Sequence, residues 1–210
     1  VMQRLAQKGN GNAAYIDSLR EARKVLVDEM ASTLEIIASD VKIQVEFNPA
    51  LVSDYRLIGY ETRHLAREDF NNDQVDAGEV GPGHTVTALY EVVLHGSTKP
   101  VNDPLRFGTD SPSLSRSEEI AEVKLRYKRA PGEASRLLSR VVLISELAAS
   151  LAATSENYRF SAAVAGFGQL LSGSQYLDTL SYLAVRKIAS GARGEDELGY
   201  RSEFISLVAT

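Results

Sequence analysis

Hydrophobic positions change their period twice along the chain. Leu19, Ala22, Leu26, Met30, Thr33 and Ile37 recur at helical spacing, which predicts an amphipathic helix whose stripe packs against another surface. Ser18 followed by Glu21 three residues later matches a capping box, in which each side chain satisfies an otherwise orphaned backbone donor. Ala13, Ala14, Tyr15 and Ile16 just before it read as a short strand feeding that helix. From about Asp40 the period falls to two. Val41, Ile43, Val45 and Phe47 alternate with Lys42, Gln44 and Glu46, the pattern of a half-buried strand. Val86, Ala88, Tyr90, Val92 and Leu94 repeat it, as do Ala121, Val123, Leu125 and Tyr127, and further strands are predicted over 55–61 and 136–142. With no helix-length pattern between them, these strands pair mainly antiparallel, as a sandwich or a partly open barrel. Two polar connections, 66–83 and 96–117, interrupt the set; the second carries Pro100, Pro104 and Pro112 and reads as a surface excursion.

Near Ser145 the helical period returns. Phe160, Ala163, Val164, Phe167 and Leu171 share one face of a helix ending near Ser172-Gly173. Leu177, Leu180, Leu183, Ala184 and Ile188 mark a second, stopped near Gly191, and Phe204, Ile205, Leu207 and Val208 a third. Helices this short need docking partners. The expected fold is therefore α+β: an antiparallel, sandwich-like sheet followed by a small helical subdomain, with a strand–helix arm in front. The corresponding segments are 1–39, 40–144 and 145–210.

Charge removes one class of partner. Of 210 residues 24% are charged, with a formal net charge of -5, and the Lys and Arg residues are scattered. A phosphate backbone needs a basic face, so nucleic acid is not expected. There is no cysteine, hence neither a disulfide framework nor a thiolate metal site. The longest apolar stretch, Val141 to Ala153, is broken by Ser145 and Glu146 and is too short to span a bilayer. Val1 is not an initiator methionine, so the chain reads as a piece of a longer protein.

Leu5-Ala6-Gln7-Lys8-Gly9-Asn10-Gly11-Asn12-Ala13-Ala14-Tyr15-Ile16-Asp17, followed by Leu19-Arg20-Glu21-Ala22-Arg23-Lys24-Val25-Leu26, resembles the last strand and last helix of bacterial von Willebrand factor A domains. Stretches further on, among them Asp54 to Glu61, Arg67 to Asp73, Val75 to Glu79, Gly83 to Glu91, Ala192 to Asp196 and Gly199 to Arg201, look like the domain of unknown function that follows such an A domain. The resemblance implies a residual strand and helix of a doubly wound sheet over 1–39, and a place in the bacterial cell envelope or periplasm. It also implies a divalent cation in the A domain itself. That ion is held through an Asp-x-Ser-x-Ser motif, which this chain lacks, so no metal-dependent adhesion chemistry carries over to its residues. No cofactor is expected here.

The remaining chemistry is sparse. Asp69, Asn71 and Asp73, followed by Asp76 and Glu79, place oxygen donors at alternate positions, as a calcium loop does. The EF-hand pattern nevertheless fails, with Gln74 where the turn needs Gly and Val80 where the bidentate Glu belongs. A loop that hydrogen-bonds its own backbone is the stronger reading. His84, after Gly81-Pro82-Gly83, is the one candidate general base; a hydrolase would pair it with an acid from the 69–79 loop, but a strand-entry histidine bonded to backbone is the simpler account. His64 and His95 are isolated, and Gly9-Asn10-Gly11-Asn12 lacks the Lys-Ser/Thr of a phosphate loop. Arg193, Glu195, Asp196 and Arg201 read as helix-end caps or surface pairs. The function expected on balance is a non-enzymatic interaction or scaffolding module with a protein partner, with a hydrolase or a structural spacer as alternatives. Its interaction candidates are Leu19, Leu26 and Met30, through which residues 1–39 could also form a homodimer.

Overall fold

The computed structural model describes residues 13–28, 35–60, 64–96, 118–130, 132–177 and 179–209, together with Met2, Leu5 and Ala6. Helix α1 (Leu19–Arg23) passes into one π-helical stretch, Lys24–Asp28. Strands β1 (Ala38–Phe47), β2 (Val52–Ile58), β3 (Gly78–Val80), β4 (Leu89–Leu94), β5 (Glu119–Lys128) and β6 (Arg136–Leu143) follow, and then helices α2 (Glu156–Leu171), α3 (Tyr182–Ser190) and α4 (Tyr200–Leu207). The fold is α+β. One sheet has the order β3-β1-β5-β6, and a second consists of β2 and β4, with β1/β3 and β2/β4 antiparallel.

The chain forms two compact units. The smaller comprises 1–44, 66–86 and 124–139, the larger 45–65, 87–123 and 140–210. In the larger unit, Val52, Ile120 and Ala121 are buried between the sheets, with Val45, Phe47, Leu51, Val92 and Val142 packed around them. Phe47 sits against both Tyr55 and Tyr90, at 4.6 and 5.5 Å between ring centroids. A second core joins the helices: Ala163, Val185, Ala189 and Val208 are buried, surrounded by Phe160, Phe167, Leu170, Leu180, Ile188, Phe204 and Ile205. Small residues at its centre let α2 and α3 approach closely, and Gly166 faces Leu180 and Val185, where a Cβ would come within 2.9 Å of Leu180 Cδ2. Serine caps start α2 and α3: Ser155 Oγ accepts from Tyr158 N at 3.2 Å and Ser181 Oγ from Ala184 N at 3.3 Å.

Several expectations are corrected. Ala13 to Asp17 form no strand, because a strand without neighbours leaves its backbone groups unpaired and gains nothing from extension. Ser18 does cap α1, accepting from Glu21 N at 3.1 Å. The expected helix does not reach Ile37, however: that residue lies in a bend just before β1 and donates its N–H to Val80 O at 2.9 Å. Met30 and Thr33 lie outside the described residues, as does most of the 96–117 connection. The 66–83 segment, expected only as a polar connection, carries structure of its own. It holds a 3-10 turn, Arg67–Asn71, anchored by the buried ring of Phe70, and the whole of β3. Strand β4 begins at Leu89, three residues after the expected Val86, and α3 begins at Tyr182, beyond Leu177 and Leu180.

Candidate functional site

The oxygen-rich loop after Ala66 closes over a cation supplied by the protein. Lys42, on β1, is only 3% exposed although its strand pattern places it on the solvent side. Its ammonium donates to the backbone carbonyls of Asp69, at 3.4 Å, and of Asn72. Asn72 Oδ1 accepts from Gln74 N at 3.0 Å, an Asx turn that sets the loop's direction. Asp73 turns away from the loop centre: its carboxylate accepts from Arg126 Nε at 3.2 Å and from Ser135 Oγ at 3.0 Å. Arg126 Nη1 also reaches Asn71 Oδ1 at 3.4 Å. Lys128 Nζ donates to Asp73 O at 3.0 Å and pairs with Asp40 Oδ2 at 2.6 Å, with both side chains largely covered.

The oxygen donors of the loop meet the protein's own cations. Of the candidate ligands, Asp69 offers its carbonyl to Lys42, while Asn71 and Asp73 offer their side chains to Arg126. No group of three or more His, Asp or Glu side chains is placed to hold a metal among the described residues. The positive charge that a hard-cation loop would need is delivered here by lysine and arginine. Lysine signals nothing of the kind in sequence, because a polar residue at an alternating position reads as solvated.

Asp73 makes the loop sensitive to acid. The Ser135 hydroxyl and then Arg126, working against partial desolvation, hold its carboxyl below the ordinary value of 3.8. A carboxylate whose folded pKa is depressed contributes stability above its unfolded pKa and loses it as pH falls through the folded one. Asp73→Asn is therefore expected to lower the melting temperature near neutral pH. The gap from the unsubstituted protein should then shrink steadily below about pH 4. A gap unchanged between pH 7 and pH 3 in calorimetric scans contradicts this role.

His84 is exposed, its backbone N–H donating to Gly81 O at 3.2 Å in a turn, and no hydrogen bond links its ring to an acid of the 69–79 loop among the described residues. His95 Nε2 lies 2.9 Å from Pro49 O, a structural contact. Residues 9–12 lie outside the described set. Two arginine centres that sequence reading missed or undervalued are built more fully. Arg56, on β2, pairs with Glu91 on β4, donates to Gln169 Oε1 on α2 at 2.7 Å and stacks 4.2 Å over the Tyr176 ring. Arg201, on α4, donates to the carbonyls of Ala192 and Arg193 at 3.2 and 3.1 Å and to Asn157 Oδ1 at 2.5 Å. Asp196 accepts from the N–H groups of Arg201 and Ser202 at 3.1 and 2.8 Å, serving as the anion at the start of α4. Burial opposes its charge, but the hydrogen bonds from Ser202 and Arg201 outweigh this and lower its pKa. Both centres tie elements of the larger unit together.

Residues 32–210 match the family described as "Uncharacterized protein YfbK, C-terminal". The "Uncharacterized protein YfbK" of Escherichia coli (strain K12) is 46% identical over 211 residues, a match covering 99% of this chain and 36% of that protein. The chain thus spans little more than a third of the curated relative's length. No solved structure matches. With most of its length matched by the family and nearly half of its residues shared with that relative, the chain belongs to the YfbK C-terminal family.

Proposed function

We propose that the chain is a non-enzymatic protein-interaction or scaffolding module, the C-terminal part of a longer von Willebrand factor A-type protein of the bacterial envelope. The observation that carries the reading is the apolar arm. Leu19 is 91% exposed, and Tyr15, Ile16, Leu26 and Val27 are exposed with it, on a segment whose cap and stripe are those of a helix meant to be covered. The resemblance of residues 5–26 to the closing strand and helix of an A domain supplies that cover: the remainder of the doubly wound sheet. Burying each large side chain of the stripe is worth roughly 1.5–3 kcal/mol. An uncovered arm therefore seeks a surface, and in isolation the nearest is a second copy. No helix among the described residues is long and apolar enough to cross a membrane.

Light scattering on this chain and on a version starting at Asp40 tests the reading. The full chain is expected to dimerise at micromolar concentration and the shorter version to stay monomeric. Two monomers with one melting temperature would show that the arm contributes nothing.

A further inference from the structure

Strand β6 ends the larger sheet with an apolar edge that nothing covers among the described residues. In the order β3-β1-β5-β6 no strand among the described residues lies beyond it, so its outer backbone N–H and C=O groups face away from the sheet. Its sequence, from Arg136 through Leu137, Leu138, Ser139, Arg140, Val141, Val142 and Leu143, is nearly the continuous apolar run of a strand buried on both faces. Only Val142 packs into the core; Leu137 and Leu138, on opposite faces, are 53% and 55% exposed, and Val141 and Leu143 are exposed too. Ile144, Leu147 and Leu151, next along the chain, are exposed as well. Proteins normally guard such an edge with lysine, proline, a bulge or a covering element. β6 holds neither lysine nor proline, and Arg140 is turned to Glu146 at 2.7 Å.

We propose that β6 receives an added strand from the remainder of the same polypeptide, which extends the sheet and brings a covering layer with it. This rests on the part of the reading above that places the chain in a longer protein, and it does not need the arm. Almost two thirds of the Escherichia coli relative lies outside the match, ample chain to supply a strand and a layer. A tethered strand acts at an effective concentration in the millimolar range for a short flexible connection, which favours it over a second copy at micromolar protein. Apolar side chains on both faces of β6 also ask for more than one free peptide, since a lone strand pairs with the edge but leaves the faces wet.

The test compares the full-length protein with this chain by amide hydrogen exchange over 136–143. A thiol-labelling measurement accompanies it, with single cysteines placed at Leu138 and, as an exposed control on α3, at Leu183. The chain itself contributes no native cysteine. Alternate β6 amides should exchange at least about tenfold more slowly in the full-length protein, and Leu138→Cys should label more slowly by a similar factor while Leu183→Cys labels alike in both. The protection should persist on dilution. Equal exchange and labelling in the two proteins overturns the proposal, whether the edge is bare in both or covered by the chain's own residues. Protection that fades on dilution as dimers dissociate also overturns it, by assigning the edge to a second copy. The arm's light-scattering result can fail without touching either readout, so the two ideas stand or fall separately.

Discussion

Replacing Lys42 by alanine lowers the stability of the smaller unit by about 2–3 kcal/mol, the combined effect of an emptied site and two lost charge-assisted hydrogen bonds. The side chain is buried and its ammonium holds the loop through the carbonyls of Asp69 and Asn72. Lys42→Met keeps the aliphatic stem but not the donor, and should cost about 1–2 kcal/mol, the worth of the lost hydrogen bonds alone, since both carbonyls keep a backbone donor. The neighbouring Ile43→Thr should stay within about 0.5 kcal/mol, since Ile43 is 44% exposed and a β-branched residue is retained. Urea unfolding followed by circular dichroism gives these differences. Exchange at the amides of Asp69, Asn72 and Val75, which close the loop's own turns, localises them. The ordering is the informative result, because alternation alone predicts the reverse, with Ile43 costly and Lys42 free. A Lys42→Ala protein as stable as its parent would remove the loop's proposed anchor.

That inversion shows where sequence stops being legible. Period-two patterning located β1, β5 and, to within three residues, β4, and the helical period located α2 and α4, because each of those patterns comes from one face meeting a core. Val45 and Phe47 do face that core. Lys42 breaks the rule because the opposite face of β1 is covered as well, by a loop that comes back from residues 66–76. No local pattern encodes a long-range cover. The same blindness hid β3, three residues in a polar connection whose pairing depends on β1. Phe70 was the available clue there, a lone aromatic in a polar run that marks a loop pinned by its own anchor. At the N-terminus the error ran the other way. The strand-like Ala13–Ile16 carries the propensity for a strand but lacks neighbours to pair with, and propensity without pairing does not make a strand. At the candidate site, the acidic spacing of 69–73 was readable, but the cations that meet it come from β1 and β5, between 27 and 55 residues away in sequence. Residue type alone did not identify Lys42, Arg126 and Lys128 as its partners.

Arg201→Ala should destabilise the helical part of the larger unit by about 2–3 kcal/mol, most of the worth of one charge-assisted hydrogen-bond cluster that is partly open to water. The guanidinium sits 4.8 Å over the Phe160 ring, and Phe160 in turn packs edge-to-face on Phe204, with 5.3 Å between centroids. Arg201 therefore joins three pieces: the carbonyls of 192 and 193 after α3, Asn157 in the first turn of α2, and the aromatic cluster shared by α2 and α4. The path of the 192–199 segment depends on it. Gly194 has φ +58°, and a Cβ there would come within 2.6 Å of Glu156 Oε2 and 3.6 Å of Arg201 Nη1, so the turn is both left-handed and closely packed. Arg201→Lys tests whether charge or shape matters. A lysine keeps the charge but cannot fork to two carbonyls and an amide while stacking on a ring, so it should recover less than half of the loss. For a chain of this size the alanine variant should melt about 4–12 °C lower. Because the lost contacts are shared by α2, α3 and α4, the helical signal should fall in one step instead of fraying from Thr210. A melt within the error of the parent protein, or lysine fully restoring it, would show that the guanidinium's fork and stacking do not hold these helices together.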